Sequence, residues 1–106
     1  MDPAKILFWN VRGLNSTARQ DSVHTLVQSI RADVVCLQET KREAFDLCYI
    51  KNLCPLAFDS FLHLPSQGAS GGIIVVWKSS MFSGQMVFSN EYALTVELTS
   101  KLNNES

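Results

Sequence analysis

Asp33-Val34-Val35-Cys36-Leu37-Gln38-Glu39-Thr40-Lys41 is an apolar run that stops abruptly at a carboxylate. Its consecutive apolar residues, Val34 to Leu37, read as a buried strand, because a strand covered on both faces shows no alternation. Gln38 and Glu39 then fall at that strand's carboxyl end. Open α/β sheets bind their ligands outside the carboxyl ends of their strands, so this edge is where a divalent cation could sit.

Upstream, Lys5 to Val11 contains the run Ile6-Leu7-Phe8-Trp9 and reads as a second buried strand, broken by Arg12-Gly13-Leu14-Asn15. Thr17 with Gln20 resembles a capping box, and Val23, Leu26, Val27 and Ile30 recur at helical spacing, giving a helix from Ser16 to Arg31. Strand, helix and strand in this order make a right-handed crossover between parallel strands. Asn10 and Glu39, at the two strand ends, are thereby expected side by side.

Downstream, Glu43 to Leu53 carries Phe45, Leu47, Cys48 and Ile50 and reads as a shorter helix ended by Pro55. The pattern then changes to strands over 58–64, 72–78, 85–89 and 92–98, separated by Pro65, by Gly68 to Gly72, by Ser79-Ser80 and by Asn90-Glu91. Short turns favour antiparallel pairing. Ile73-Ile74-Val75-Val76-Trp77 is apolar at both parities and is expected to be central, whereas Leu94, Val96 and Leu98 alternate with polar residues. Residues 1–100 form one α/β domain in this reading, and 101–106 form a polar tail.

Composition narrows the class. Of 106 residues 46% are hydrophobic and 18% charged, with net charge -1, which fits a globular chain and gives no general attraction to a polyanion. Any nucleic-acid binding must then use local basic groups or a metal. Cys36, Cys48 and Cys54 are odd in number and lack metal-type spacing, and are expected to be buried reduced thiols. Asp2-Pro3 and Lys5 leave no signal-peptide hydrophobic region, and no apolar stretch approaches membrane-spanning length. The expected setting is intracellular, nuclear or cytoplasmic, with no membrane and no secretion.

Asn10 and Glu39 together offer hard oxygen donors, and magnesium commonly uses only one or two protein carboxylates while keeping several waters. The alternative is that Asn10 caps a turn and Glu39 is a solvated strand end. Arg12, Lys41 and Arg42 follow the strand ends as phosphate-contacting candidates or as solvated loop cations. Gly68 to Gly72 precedes a strand and lacks the Lys-Ser/Thr ending of a phosphate loop, so it reads as a flexible turn. His24 and His63 read as structural or surface histidines, and Trp9 and Trp77 as core.

Ile6 to Leu14, Ala32 to Lys41 and Ser70 to Trp77 resemble, in order and interval, the first three signature blocks of the endonuclease/exonuclease/phosphatase superfamily. Within it the chain is most similar to the apurinic-like endonuclease domain of non-LTR (LINE-type) retrotransposons, and next to exonuclease III-like repair enzymes. The resemblance implies the amino-terminal half of a four-layer α/β sandwich, with a mixed sheet flanked by two helices. It also implies magnesium-dependent phosphodiester hydrolysis in DNA, manganese being the alternative ion. By position, Glu39 would be the principal metal ligand and Asn10 its neighbour, and both would be catalytic.

The family's later blocks, with an active-site Tyr or His, a Gly-Asp-Phe-Asn-like run and a Ser-Asp-His-like run, have no counterpart in these 106 residues. The expectation is weak metal binding and no activity of the chain alone. Two alternatives stand beside the partial endonuclease: a non-catalytic interaction module that takes a protein partner or self-associates through an exposed sheet face, and a decayed gene fragment. Partly exposed apolar residues are expected around Ile73 to Trp77 or Phe58 to Leu64.

Overall fold

In the computed structural model, which describes residues 4–68, 70–90 and 93–101, β1 (Ile6–Asn10) and β2 (Val34–Gln38) pair in parallel. Their register runs from Ile6 opposite Val34 to Asn10 opposite Gln38. The connecting helix α1 (Thr17–Ile30) begins one residue away from the expected cap: Ser16 is the N-cap, its Oγ accepting from the Arg19 N–H at 3.1 Å. Gln20 instead donates from Nε2 to the Leu14 carbonyl at 2.9 Å, binding the helix to the loop it leaves. Arg31, at φ 56°, ends the helix in the left-handed conformation.

Helix α2 (Leu47–Leu53) is shorter than the 43–53 span expected from its apolar residues. Asp46 accounts for this, because its Oδ1 accepts the Tyr49 N–H at 2.8 Å and caps the helix there. Cys54 is already extended, and Pro55 blocks any continuation. Of the three thiols, Cys54 is buried, Cys36 is half-buried and Cys48 is exposed on α2, so burial of all three is corrected at Cys48.

Strands β3 (Ser60–Leu64) and β4 (Ile73–Trp77) form an antiparallel pair, yet β4 also inserts beside β2, giving the order β1-β2-β4-β3. The sheet is therefore mixed, with β1 and β3 at its edges. Strands β5 (Phe82–Ser89) and β6 (Leu94–Ser100) form a separate antiparallel hairpin with a bulge between Met86 and Phe88. Both extend beyond the spans read from sequence, because Phe82 opposite Ser100 and Ser83 opposite Thr99 continue the ladder. Tyr92 and residues 102–106 of the expected tail lie outside the described residues.

The alternating faces of the four-stranded sheet serve two cores. One face presents Leu7, Trp9, Val35, Leu37, Phe61, Ile74 and Val76 to the helices, where Val23 and Val27 of α1 and Ile50 and Leu53 of α2 meet them. The other presents Val34, Cys36, Leu62, Val75 and Trp77 to Phe82, Leu94, Val96 and Leu98 of the hairpin. Trp77 is buried and Trp9 packs against the core, as expected of core tryptophans.

The expected partial exposure is found on β3 and not on β4. Ile74 to Trp77 are buried because β4 is interior, and β3 is half-buried throughout. The large exposed apolar side chains include Ile6 (49%) and Phe8 (68%) on edge strand β1 and Met86, Val87 and Phe88 on β5, beside Ile30 and Leu47 on the helices and Leu56 after α2. The hairpin covers β2, β4 and β3 but leaves the β1 end of the inner face open. Among the described residues, no helix is long and apolar enough to cross a membrane.

Candidate functional site

Parallel pairing persists beyond the two strand ends. Val11 N–H donates to the Gln38 carbonyl (3.0 Å), Gly13 N–H to Glu39 (2.7 Å) and Leu14 N–H to Thr40 (3.0 Å). The loop after β2 is held from its other side as well, by Thr40 N–H to the Gly72 carbonyl (3.1 Å) and Lys41 N–H to Gly71 (2.8 Å). Thus the segment 39–41 is a strap pinned between the exit of β1 and the entrance of β4.

This strap brings Asn10 and Glu39 together: Asn10 donates from Nδ2 to Glu39 Oε2 at 2.7 Å. Strand geometry alone would not do so. Asn10 is registered with Gln38, so regular alternation would send Glu39 to the opposite face. Glu39 instead has φ 55°, a left-handed backbone that breaks the alternation and turns its carboxylate toward Asn10. Arg12 and Lys41, at φ 54° and 58°, share this conformation. Such residues cost roughly 1–3 kcal/mol each, persist only where surrounding bonds over-determine them, and cluster at functional sites.

Both side chains are exposed, so a solvated ion can reach them. One carboxylate and one amide form a hard oxygen donor set that suits magnesium or manganese, which complete their shells with water. Among the described residues, no group of three or more His, Cys, Asp or Glu side chains is placed to hold a metal. Glu39 and Asn10 therefore fit such an ion as a partial site. They are the residues that would hold it.

The other candidates separate. Arg12 is exposed and Lys41 is half-buried beside Gly13, so both flank the strap. Arg42 is committed to packing, lying 3.7 Å from the Tyr49 ring centre and 5.4 Å from that of Phe45, with Nη1 donating to Asn15 Oδ1 at 3.3 Å. A cleft of about 360 Å³ lined by Arg42, Phe45, Cys48 and Tyr49 adjoins this packing on the α2 side. It does not include Asn10 or Glu39. His63 packs between Phe45 and Phe61, and burial pushes its pKa down. His24 lies on α1 beside a groove with Asp21 and Lys51.

Gly72 and Thr40 are the residues that sequence reasoning passed over. Thr40 is completely buried although polar and two residues past a strand end, and Gly72 at φ 97° packs against it. The expected turn from Gly68 to Gly72 is thus structural at its end, where close backbone approach requires glycine. The Gly71-Gly72 pair before an apolar strand was the available signal.

The fold matches that of the AP endonuclease LMAP from Leishmania major, with TM-score 0.67 and 20% identity over 92% of this chain and 36% of that one. It also matches the catalytic domain of Xenopus laevis APE2, with TM-score 0.53 and 24% identity over 82% of this chain and 29% of that one. The chain spans about a third of the length of these structures. Comparison with curated protein sequences gave no match. Residues 7–98 match the model of the Endonuclease/Exonuclease/phosphatase family. With most of its length matched, the chain belongs to the endonuclease/exonuclease/phosphatase family.

Proposed function

We propose that this chain is the metal-binding part of a magnesium-dependent endonuclease domain of retrotransposon type, and that it does not cleave DNA alone. The observation that carries the reading is the Asn10 Nδ2 to Glu39 Oε2 hydrogen bond at 2.7 Å, at the carboxyl edge of a parallel pair. The retrotransposon assignment rests on the blocks Ile6 to Leu14, Ala32 to Lys41 and Ser70 to Trp77.

A divalent ion bound here would supply charge neutralisation at a phosphoryl oxygen. Glu39 contributes the anionic oxygens, and Asn10 fixes the carboxylate's orientation through its amide. Arg12 and Lys41 lie in the two loops that leave the strand ends and would add positive charge near a phosphate backbone bound there. Hydrolysis also requires a group that takes a proton from the attacking water. Neither histidine matches by position the family residue that would do so: His63 is packed among aromatic rings, and His24 lines a groove on α1 that does not include Glu39.

Titration with manganese, followed by its paramagnetic signal, should show weak binding that Glu39→Gln diminishes. Equal binding by both proteins would remove Glu39 from the site. Supercoiled DNA and an abasic-site duplex, incubated with the chain and magnesium or manganese, should remain uncut. Cleavage that Glu39→Ala abolishes would overturn the reading and mean that a second chain or a further residue completes the site.

A second reading, a module that self-associates, is favoured by the exposure of Ile6 and Phe8 on the open inner face of β1. Sedimentation should then show a dimer that Phe8→Ser dissociates. A monomer at all concentrations would exclude it.

A further inference from the structure

Glu39 stays in a conformation that a glutamate ordinarily avoids, and the bonds that hold it come from both neighbouring strands. On the β1 side its carbonyl accepts from Gly13 N–H at 2.7 Å. On the β4 side the next two amides, Thr40 and Lys41, donate to Gly72 and Gly71 at 3.1 and 2.8 Å. The β4 side depends on an unusually close approach. A Cβ built on Gly72 would collide with Thr40 Oγ1 and would stand only 3.3 Å from both Lys41 N and Ser66 Cβ. Thr40 cannot give way easily, because its side chain is fully buried and its hydroxyl accepts the Arg42 N–H at 3.4 Å.

We infer that Gly72 is a positioning residue for the Glu39 carboxylate, acting through Thr40. A side chain at 72 must push Thr40 off the entrance of β4, stretching the bonds from Thr40 and Lys41. The left-handed turn at Glu39 then loses half of what opposes its relaxation. In extended backbone the side chain alternates to the face away from Asn10, and the pair separates. Thr40 is thus the link between the third sequence block and the site. The inference rests on the reading of Asn10 and Glu39 as the metal site, and its test has an arm that needs no metal.

The test uses the full chain and the variants Gly72→Ala, Thr40→Ala and the double variant. Manganese alone is the probe in one arm. In the other, the Asn10 side-chain amide resonances are compared with and without Glu39→Gln, without metal. In the parent protein Glu39→Gln should move those resonances, since it replaces the carboxylate acceptor. In Gly72→Ala it should move them no further, and manganese affinity should fall about 10- to 100-fold, the range for outer partners of metal ligands. The double variant, in which the Cβ at 72 occupies space vacated at 40, should recover part of that affinity.

Folded Gly72→Ala that binds manganese as the parent does and retains the Asn10 response would overturn the inference. If that variant does not fold, Thr40→Ala decides: a weakened Asn10 response supports the link, and an unchanged one overturns it. Should the parent protein bind no manganese, the metal reading fails by itself, and the amide resonances still decide the role of Gly72.

Discussion

The guanidinium carbon of Arg42 lies 3.7 Å from the centre of the Tyr49 ring, and the Tyr49 hydroxyl donates to the Leu14 carbonyl at 2.6 Å. Through this pair α2 holds the loop after β2 and the loop after β1 together. Arg42→Ala removes the stacking and the bond to Asn15 and should cost about 1–2 kcal/mol in chemical denaturation. Arg42→Lys should restore little of it, because an ammonium lacks the planar face. Tyr49→Phe should cost less, about 0.5–1 kcal/mol, since Gln20 still donates to Leu14 at 2.9 Å. A Tyr49→Phe loss larger than that of Arg42→Ala would contradict this order.

Gly84 supplies a test of the hairpin's docking. A Cβ there would stand 2.5 Å from Trp77 Cζ2 and 2.8 Å from Leu98 Cδ2, so the indole approaches the strand this closely only because position 84 is bare. Gly84→Ala should destabilise the protein by roughly 1–3 kcal/mol, as overpacking does. It should also raise the accessibility of Trp77 to fluorescence quenchers. An unchanged midpoint and unchanged quenching would mean that the hairpin does not rest on Trp77.

His63 makes stability depend on pH. Burial depresses its pKa in the folded chain, and its buried Nδ1 has no hydrogen-bond partner among the described residues, so protonation favours the unfolded state. Its contribution is fully present above the unfolded imidazole value of about 6.5 and is lost as pH falls from there toward the lower folded value. Asp59 acts in a more acidic window. The Ser79 N–H, then its hydroxyl, hold that carboxylate below its ordinary range, so its contribution is lost only as pH falls below the usual carboxylate values. Thermal melts at pH 8 and pH 5 should therefore differ less for His63→Phe than for the parent. Equal differences would show that His63 has no such role.

The thiols should react in an order set by burial. Cys48 is exposed on α2, while burial pushes the Cys36 thiol up and that of Cys54 to about 12. A disulfide reagent at neutral pH should modify Cys48 first, Cys36 more slowly, and Cys54 only after unfolding, because the thiolate is the reacting species. Rapid loss of Cys54 in the folded protein would mean that the core beneath α2 opens readily.

Local sequence alone determined the elements whose cause is local. The runs Ile6 to Trp9, Val34 to Leu37 and Ile73 to Trp77 are strands because they are apolar at both parities, and α1 is a helix because Val23 and Val27 recur on one face. The strand-helix-strand order also made the first two strands parallel and set Asn10 and Glu39 at one sheet edge. What chain order could not specify was that β4 would enter between β2 and β3, since that choice depends on which faces the helices and the hairpin can cover together. That insertion buries β4, leaves Ile6 and Phe8 open, and carries Gly72 onto Thr40. Only the tertiary structure therefore decided how Glu39 turns: its left-handed backbone is imposed by hydrogen bonds from the loops at the exit of β1 and the entrance of β4, and no property of glutamate announces it.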